Sequence, residues 1–444
     1  MPHASSTPDL KPSSTQLQVR PLSSLDELTN WSIFCATRGF GQRGPGDPLR
    51  FAHRFRCDPT SRLEWVLICT APRNSCGIPM DLSAQQLHPL SPPSLPITLT
   101  ETSKKESEDP LVILGSCRLF SRSLFVQGES RFTQAIGWGE VCSEPEMRGR
   151  GVAGAVLTKA LEMSLTAGVG GGDETDKHSI ALLHAAAGVQ GLYQKFGFTA
   201  PLRAEYGLWE PPLISPFDVS RQLTHQQVFI RKADFEKDVS ELQRLHQHTV
   251  TCLSLIGWTE RSAAYWSEWI RLTSRDHMWV LEEEKETAAT TPPRLLAYAC
   301  AQWQRDDSLK LCDFGFSDTC TKQQASLLLL SALTKGWLET SSRPPSANTG
   351  HRGAQASSDS NSQMLPTAKD HATLLPVPPS LPSLVTPLAV LQWLDDKKEK
   401  KVAAVPELAD TSWMVRSLND EGREIIERMA SGGSRFIAFA LDGF

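Results

Sequence analysis

Nine residues set the tightest limit on how this chain can fold: Glu146-Met147-Arg148-Gly149-Arg150-Gly151-Val152-Ala153-Gly154, lying between an apolar alternating run and an amphipathic stretch of helical period. Three closely spaced glycines let a strand turn sharply into a helix, and they leave the first N–H groups of that helix uncovered by side chains. Those orphan donors, together with the positive end of the helix dipole, make a seat for a phosphate or pyrophosphate, to which Arg148 and Arg150 add charge. The nine residues by themselves also fit a plain connection with two solvated arginines. Of two familiar phosphate-binding arrangements, one is excluded and the other fits poorly. A P-loop requires Gly-Lys-Ser/Thr at the helix start, and here Gly154 is followed by Ala155 and Val156. A dinucleotide-binding turn follows the first strand of a βαβ unit and is answered by an acidic residue about 20 positions on. Here three strands come first, and a glycine-rich stretch begins at Gly168.

The surrounding pattern predicts a mixed α/β layer. Residues 1–15, rich in Ser and Pro, read as a disordered tail. Strands are expected at Leu17 to Arg20, Glu64 to Cys69, Leu111 to Cys117 and Thr133 to Cys142, with a disordered Pro/Ser/Thr-rich insertion at 71–108. A helix over 151–167, a Gly/Asp stretch at 168–176, a strand at Ile180 to His184 and a short helix at Val189 to Phe196 follow. From residue 227 the same kinds of element return. Strands are expected at 228–231, 278–282, 295–304 and 309–316, and helices at 235–249, 261–272 and 321–338. No glycine turn opens the helix at 321–338. A disordered linker at 340–387 separates a last segment, including strands at 413–418 and 436–441, that is expected to fold back onto the second half. The expected organisation is therefore a tail, a first domain over 16–215 and a second over 225–444.

Composition removes several classes of function. The 444 residues suffice for two or three domains at roughly 100–200 residues each. With 45 basic against 50 acidic residues the net charge is -5, so the chain lacks the field of a nonspecific nucleic-acid binder. Ten cysteines include no CxxC pair, which argues for reduced, buried thiols and against a zinc site; no metal is expected. The N-terminus lacks a signal-peptide pattern and no apolar run approaches the ~20 residues a membrane span needs, so a cytoplasmic protein without membrane contact is expected. A homo-oligomer is compatible with the sequence, which carries no distinct mark of one.

A second motif lies about 40 residues beyond the first: Leu192-Tyr193-Gln194-Lys195-Phe196-Gly197-Phe198. Arg148-x-x-Gly151-x-Ala153 resembles the acyl-CoA motif of the Gcn5-related N-acetyltransferase (GNAT) superfamily, and Leu192-Tyr193-x-x-Phe196-Gly197-Phe198 resembles that superfamily's next motif. The likeness is specific over about 130–200 and permissive over 16–130. It implies an α/β (α+β) fold with a GNAT-type mixed sheet flanked by helices, followed by a second, degenerate GNAT-like domain. The tandem layout is most similar to the fungal lysine N6-acetyltransferases, with Eis-type tandem acetyltransferases as second choice. Against the latter, fewer than 60 residues follow the 340–387 linker, too few for their third domain.

The resemblance implies acetyl-CoA as co-substrate, its pantetheine arm along the strand edge Val141-Cys142-Ser143. Its pyrophosphate would rest on Arg148, Gly149, Arg150, Gly151, Val152, Ala153 and Gly154. An amine attacks the thioester directly, which calls for a base, an oxyanion donor and an acid for the departing thiolate. Tyr193 takes the acid's position, with a tyrosine packed under the cofactor as the alternative. Glu140 is the candidate base, although alternation along the strand could turn it away, and His184 is a lesser candidate. The turn Gly39 to Pro45 could line the amine pocket. The implied activity is acetyl transfer to a small primary amine, lysine being the best guess. The alternatives are a catalytically inactive CoA-binding or scaffolding module and a protein lysine or N-terminal acetyltransferase. Trp258, Trp266, Trp269 and Trp279 could cage a cation, but Tyr265, Trp266 and Trp269 at helical spacing fit core packing better. Lys397 to Lys401 reads as a solvated charge run.

Overall fold

A computed structural model describes residues 17–40, 47–72, 111–126, 133–166, 178–186, 188–210, 216–255, 259–274, 276–283, 294–303, 309–341, 383–395, 404–408 and 410–431. The expected tail at 1–15, most of the insertion and linker, the 168–176 stretch, Trp258, the 397–401 charge run and the strand at 436–441 lie outside the described residues. The architecture is mixed α/β, as expected, with two six-stranded mixed sheets flanked by helices.

The first half contributes β1 (Gln18–Pro21), α1 (Leu25–Phe34), α2 (Arg50–Cys57), β2 (Val66–Pro72), β3 (Leu111–Leu124), β4 (Thr133–Ser143), α3 (Val152–Thr166), β5 (Ile180–His184), α4 (Gln190–Gln194) and β6 (Tyr206–Trp209). The second half adds α5 (Pro216–His225), β7 (Val228–Lys232), α6 (Val239–Leu253), α7 (Arg271–Ser274), β8 (Met278–Glu283), β9 (Leu295–Trp303), β10 (Leu309–Phe316) and α8 (Lys322–Ser341). It ends with β11 (Leu384–Pro387), α9 (Leu388–Leu394), β12 (Trp413–Ser417) and α10 (Asp420–Ser431). Three of these, β6, α5 and β11, were not expected; each of the two strands is only four residues long, too short for an alternating pattern to register.

The sheets run β1-β2-β3-β4-β5-β12 and β6-β11-β10-β9-β8-β7. Each is antiparallel except for one parallel pair, β4 with β5 and β10 with β11. Each also takes its outermost strand beside that pair from elsewhere in the chain, β12 in the first sheet and β6 in the second. This corrects the expectation that the whole last segment folds back onto the second half. β11 and α9 do so, whereas β12 pairs along the whole of β5, from Trp413 opposite His184 to Ser417 opposite Ile180. Alternation marks Trp413 to Leu418 as a strand but says nothing about which free edge it will fill.

The fold fixes the glycine turn in space. Val152, Val156, Leu157 and Ala160 form the buried stripe of α3 and pack with Leu67, Leu114 and Leu119 of the sheet. Each buried Val or Leu contributes about 1.5–3 kcal/mol, enough to hold the helix start in place. The approach is close because β3 carries Gly115 under the first turn: a Cβ there would lie 2.6 Å from Val152 Cγ1. The opposite face is covered by α1 and α2 through Leu28, Trp31, Phe51 and Phe55. In the second half, Tyr265, Trp266 and Trp269 are buried with Leu242, Leu245 and Tyr298, which places them in a core rather than a cage.

Candidate active site

β4 and β5 pair only from Ala135 to Gly137, against Ile180 to Leu182. Beyond Gly137 no strand among the described residues covers the β5 side of β4, so the edge from Trp138 to Ser143, with the expected Val141, Cys142 and Ser143, opens into a wedge. The wedge is widened by a bulge. Gly115 and Ser116 pair with Ser143 and Cys142, but Arg118 pairs with Gly139, so β4 carries one extra residue opposite Cys117. That distortion falls at Glu140, whose φ of 47° is left-handed. Ser116 Oγ secures it by donating to Glu140 O at 2.9 Å. The bulge resets the alternation that left the direction of Glu140 open, and the side chain meets Arg118: Nε donates to Oε2 at 2.7 Å and Nη2 to Oε1 at 3.3 Å.

Arg118 belongs to a buried ion network that sequence reading missed. Its Nη1 donates to Asp58 Oδ2 at 3.0 Å and Arg122 Nη2 donates to the same oxygen at 2.8 Å, with both guanidiniums stacked on Phe120. Burial pushes the Asp58 carboxyl up, but the Arg122 and Arg118 cations outweigh it and hold the group well below the usual carboxylate range. The only sequence signal was two arginines on an otherwise apolar strand, at positions 118 and 122.

Tyr193 lies on α4, after β5, and is 7% exposed, edge-on to Phe198 with ring centroids 6.3 Å apart. Burial raises its phenol well above the ordinary tyrosine value, and the nearby Cys117 and Cys142 thiols add to the rise. The phenol therefore keeps its proton through the neutral range. It belongs to the same buried cluster as Cys117, Met147 and Val152, on the side of the sheet that α3 covers. Cys142 itself turns its thiol inward, 3.3 Å from Ser116 Oγ and 3.8 Å from Cys35 Sγ, which leaves the strand's backbone rather than the sulfur at the wedge.

At the mouth of the wedge, Gly149 and Gly151 have φ of 75° and 86°, backbone that glycine adopts without strain. A Cβ at Gly149, Gly151 or Gly154 would meet nothing within 4 Å, so the turn faces open space. Ala155 N–H donates to Gly151 O at 2.9 Å, which makes Gly151 the cap position. By helix geometry the N–H groups of Val152, Ala153 and Gly154 have no intrahelical acceptor, and glycine offers no side chain to cap them. Arg148 and Arg150 are exposed beside them. Two carboxylates stand nearby, and Arg38 answers both, donating from Nε to Glu144 Oε1 at 2.8 Å and from Nη2 to Glu146 Oε2 at 2.6 Å. The glycine turn with Arg148 and Arg150 thus stands beside the free end of β4, with the Val152 side chain buried beneath it in the cluster that holds Tyr193, and Glu140 at the bulge. His184 is engaged elsewhere: Nε2 lies 2.9 Å from Asp410 Oδ2, and its ring is edge-on to Trp413 of β12. Of the turn expected to line the amine pocket, only Gly39 and Phe40 are described. A Cβ at Gly39 would lie 2.3 Å from Cys142 Sγ, so the wider helical turn Cys35–Gly39 that continues α1 ends directly against β4.

No group of three or more His, Cys, Asp or Glu side chains converges on one point among the described residues. Nor is any described helix long and apolar enough to cross a membrane.

No protein-family model matches the sequence, and no curated protein matches it either. The structure is similar to solved structures of N-acetyltransferases. A GCN5-related N-acetyltransferase from Kribbella flavida aligns with TM-score 0.48 at 14% identity, over 92% of this chain and 73% of that one. A GCN5-related N-acetyltransferase from Anabaena variabilis gives TM-score 0.49 at 14% identity, over 91% and 73%. Eis1 from Mycobacterium abscessus gives TM-score 0.39 at 13% identity, over 71% and 63%.

Proposed function

We propose that this protein is an acetyl-CoA-dependent N-acetyltransferase that moves an acetyl group directly onto a primary amine, with the side-chain amine of lysine as the best-matched acceptor. One observation carries the reading: an uncapped helix N-terminus opens at the mouth of a wedge between two parallel strands, with the buried phenol of Tyr193 in the cluster that packs beneath that helix start. The residues fit the ligand, because open space over Gly149, Gly151 and Gly154 admits a bulky polyanion to the backbone donors. Bound acetyl-CoA supplies an acyl group already activated as a thioester. Val152, Ala153 and Gly154 hold the pyrophosphate, with Arg148 and Arg150 adding charge. The free edge at Val141 to Ser143 offers backbone donors and acceptors to the amide groups of the arm.

Glu140 takes the proton that the acceptor ammonium must lose, and Tyr193 gives one to the departing sulfur. A C–N bond forms and the C–S bond breaks, leaving an amide and a free thiol. Lysine as acceptor rests on the sequence resemblance to the tandem lysine N6-acetyltransferases. The paired sheets agree with that layout, and the first sheet carries the reaction in this reading. One observation favours the alternative of a CoA-binding module without transfer, namely the two-point grip of Arg118 on Glu140. Incubation with acetyl-CoA and a panel of primary amines, read by thiol release and by mass spectrometry of the amines, separates the two. Thiol released in step with an acetylated amine supports transfer. Acetyl-CoA binding with no acetylated amine overturns it in favour of the module.

A further inference from the structure

A cavity of about 390 Å³ opens between the two halves, lined by Asp47, Arg50, His53, Arg54, Leu272, Thr273 and Gln302. Its chemistry is unbalanced. Arg50, His53 and Arg54 stand at spacings of three and four on α2 and therefore share one face, where like charges repel. None of the three makes an ion pair among the described residues, and the Arg50 Nε is buried without an acceptor. The one carboxylate lining the cavity, Asp47, accepts the Leu49 amide at 2.8 Å through Oδ1. Thr273 and Gln302 supply the opposite wall, which is polar and carries no charge. Arginines left without anions at a polar cavity are placed to receive one, since a guanidinium pairs with a carboxylate or phosphate through a planar fork of donors.

The cavity also connects with the reaction site: α2, which carries Arg50 and Arg54, ends at Asp58, whose Oδ2 accepts from Arg118 at 3.0 Å, and Arg118 donates to Glu140 Oε2 at 2.7 Å. Burial pulls the Arg54 guanidinium below the usual arginine range; the Glu140 carboxylate opposes this, and the Arg118 and Arg50 cations add to it. Arg54, one turn before Asp58, thus stands on the element that anchors the group that takes the proton in the proposed reaction.

We infer that Arg50 and Arg54 bind an oxyanion on the far end of the acceptor, so that the enzyme selects amines that carry a carboxylate or phosphate. This inference rests on the acetyl-transfer reading and deepens it. The second half contributes the far wall of the acceptor site through Thr273 and Gln302. An acceptor lacking the anion leaves two guanidiniums facing each other unpaired, and that is what excludes it.

The test uses matched pairs: lysine with 1,5-diaminopentane, 5-aminopentanoate with pentylamine, and phosphoethanolamine with ethanolamine. Affinity is measured by titration calorimetry without acetyl-CoA, and kcat/KM with it, for the full chain and for Arg54→Gln and Arg50→Gln. The anionic member should bind and react at least ~10-fold better in the unaltered protein, as expected when a site built for a polar group meets an analogue without it. Either substitution should bring the members of a pair to within about twofold of each other, chiefly through KM. The carboxylate and phosphate pairs identify which oxyanion fits. Equal affinity within every pair overturns the inference while leaving acetyl transfer standing. A preference for the anionic members that Arg54→Gln and Arg50→Gln abolish, with no amine acetylated, supports the anion site and overturns the acetyl-transfer reading. Acetyl-CoA-induced thermal shifts retained in both variants show that they fold; if one does not, the other decides.

Discussion

The helices that follow the fourth strand of each sheet's hairpin series begin in opposite ways. α3 follows β4 with Gly151 at the cap position and Gly154 three residues on, and no acceptor among the described residues reaches its first N–H groups. α8 follows β10 with Thr321 and Gln324 at the same two places. Thr321 N–H donates to Gln324 Oε1 at 2.9 Å and Gln324 N–H donates to Thr321 Oγ1 at 3.2 Å, a capping box that satisfies the helix from within. The contrast continues at the wedge. β10 and β11 pair only at Leu309 and Lys310, so they also diverge, but Trp393 on the following helix stacks on Phe316 at 3.9 Å. Tyr193 holds the matching place in the first half and has no such neighbour stacked on it. Glycines are used differently too: Gly315 makes room for the Tyr298 ring, while Gly149 and Gly151 face open space. One architecture, built twice, leaves the helix start and the wedge open in one copy and fills them with its own side chains in the other.

The largest expected effects test the buried ion networks, where the halves also differ. Asp58 ties Arg118 and Arg122 together and reaches the site through Glu140, whereas Asp313 is paired with Arg261 and Tyr298 inside the second core. Asp58→Ala leaves two buried guanidiniums short of a partner and should cost about 3–5 kcal/mol in denaturant unfolding, with acetyl transfer lost as Glu140 shifts. Asp313→Ala should cost a similar amount while leaving acetyl-CoA affinity unchanged in whatever fraction folds. If the folded fraction of Asp313→Ala loses acetyl transfer as fully as that of Asp58→Ala, the division of labour is wrong. Acid should expose the same network. The Asp58 carboxyl is held below its unfolded value, so its contribution to stability is full above about pH 4 and is lost as pH falls through the lower folded value. Asp58→Asn should remove that part of the pH dependence.

Next in size, Tyr193→Phe should lower turnover by about 10²-fold at unchanged acetyl-CoA affinity, as expected for loss of a general acid. Unchanged turnover would remove the phenol from the reaction. Gly154→Gln copies half of the second half's box into the first, its side-chain carbonyl placed to accept the Gly151 N–H as Gln324 accepts that of Thr321. It should weaken acetyl-CoA binding by roughly tenfold as a side chain occupies the open helix start. It should also raise stability by a few tenths of a kcal/mol, because glycine inside a helix is unfavourable. The smallest effect is the reverse change in the other half. Gln324→Ala should cost about 1 kcal/mol with no effect on binding.

Much of this contrast is legible in the chain. The glycines at 149, 151 and 154 and their lack at 321–324 are visible as letters, and so is Tyr193 after an apolar strand. What could not be read is partnership across distance. Nothing near Trp413 indicates that it will line up with His184 rather than with the second sheet, and nothing near Asp58 points to Arg118, 60 residues away. Glu140 shows a subtler loss: period-two alternation assumes an unbroken strand, and the extra residue at the bulge breaks it where the direction of one side chain matters most. The face formed by Arg50, His53 and Arg54 carried a signal in its spacing, but only the opposite wall, from residues 272 to 302, makes it a cavity.

The central claim is that the open helix start binds a CoA thioester, and titration calorimetry of acetyl-CoA into the full chain, beside Gly154→Gln and Gln324→Ala, tests it most directly. The account predicts one site per chain, weakened by the first substitution and untouched by the second, with ATP binding far more weakly. No heat of binding in the unaltered protein, or equal weakening by both substitutions, would contradict it.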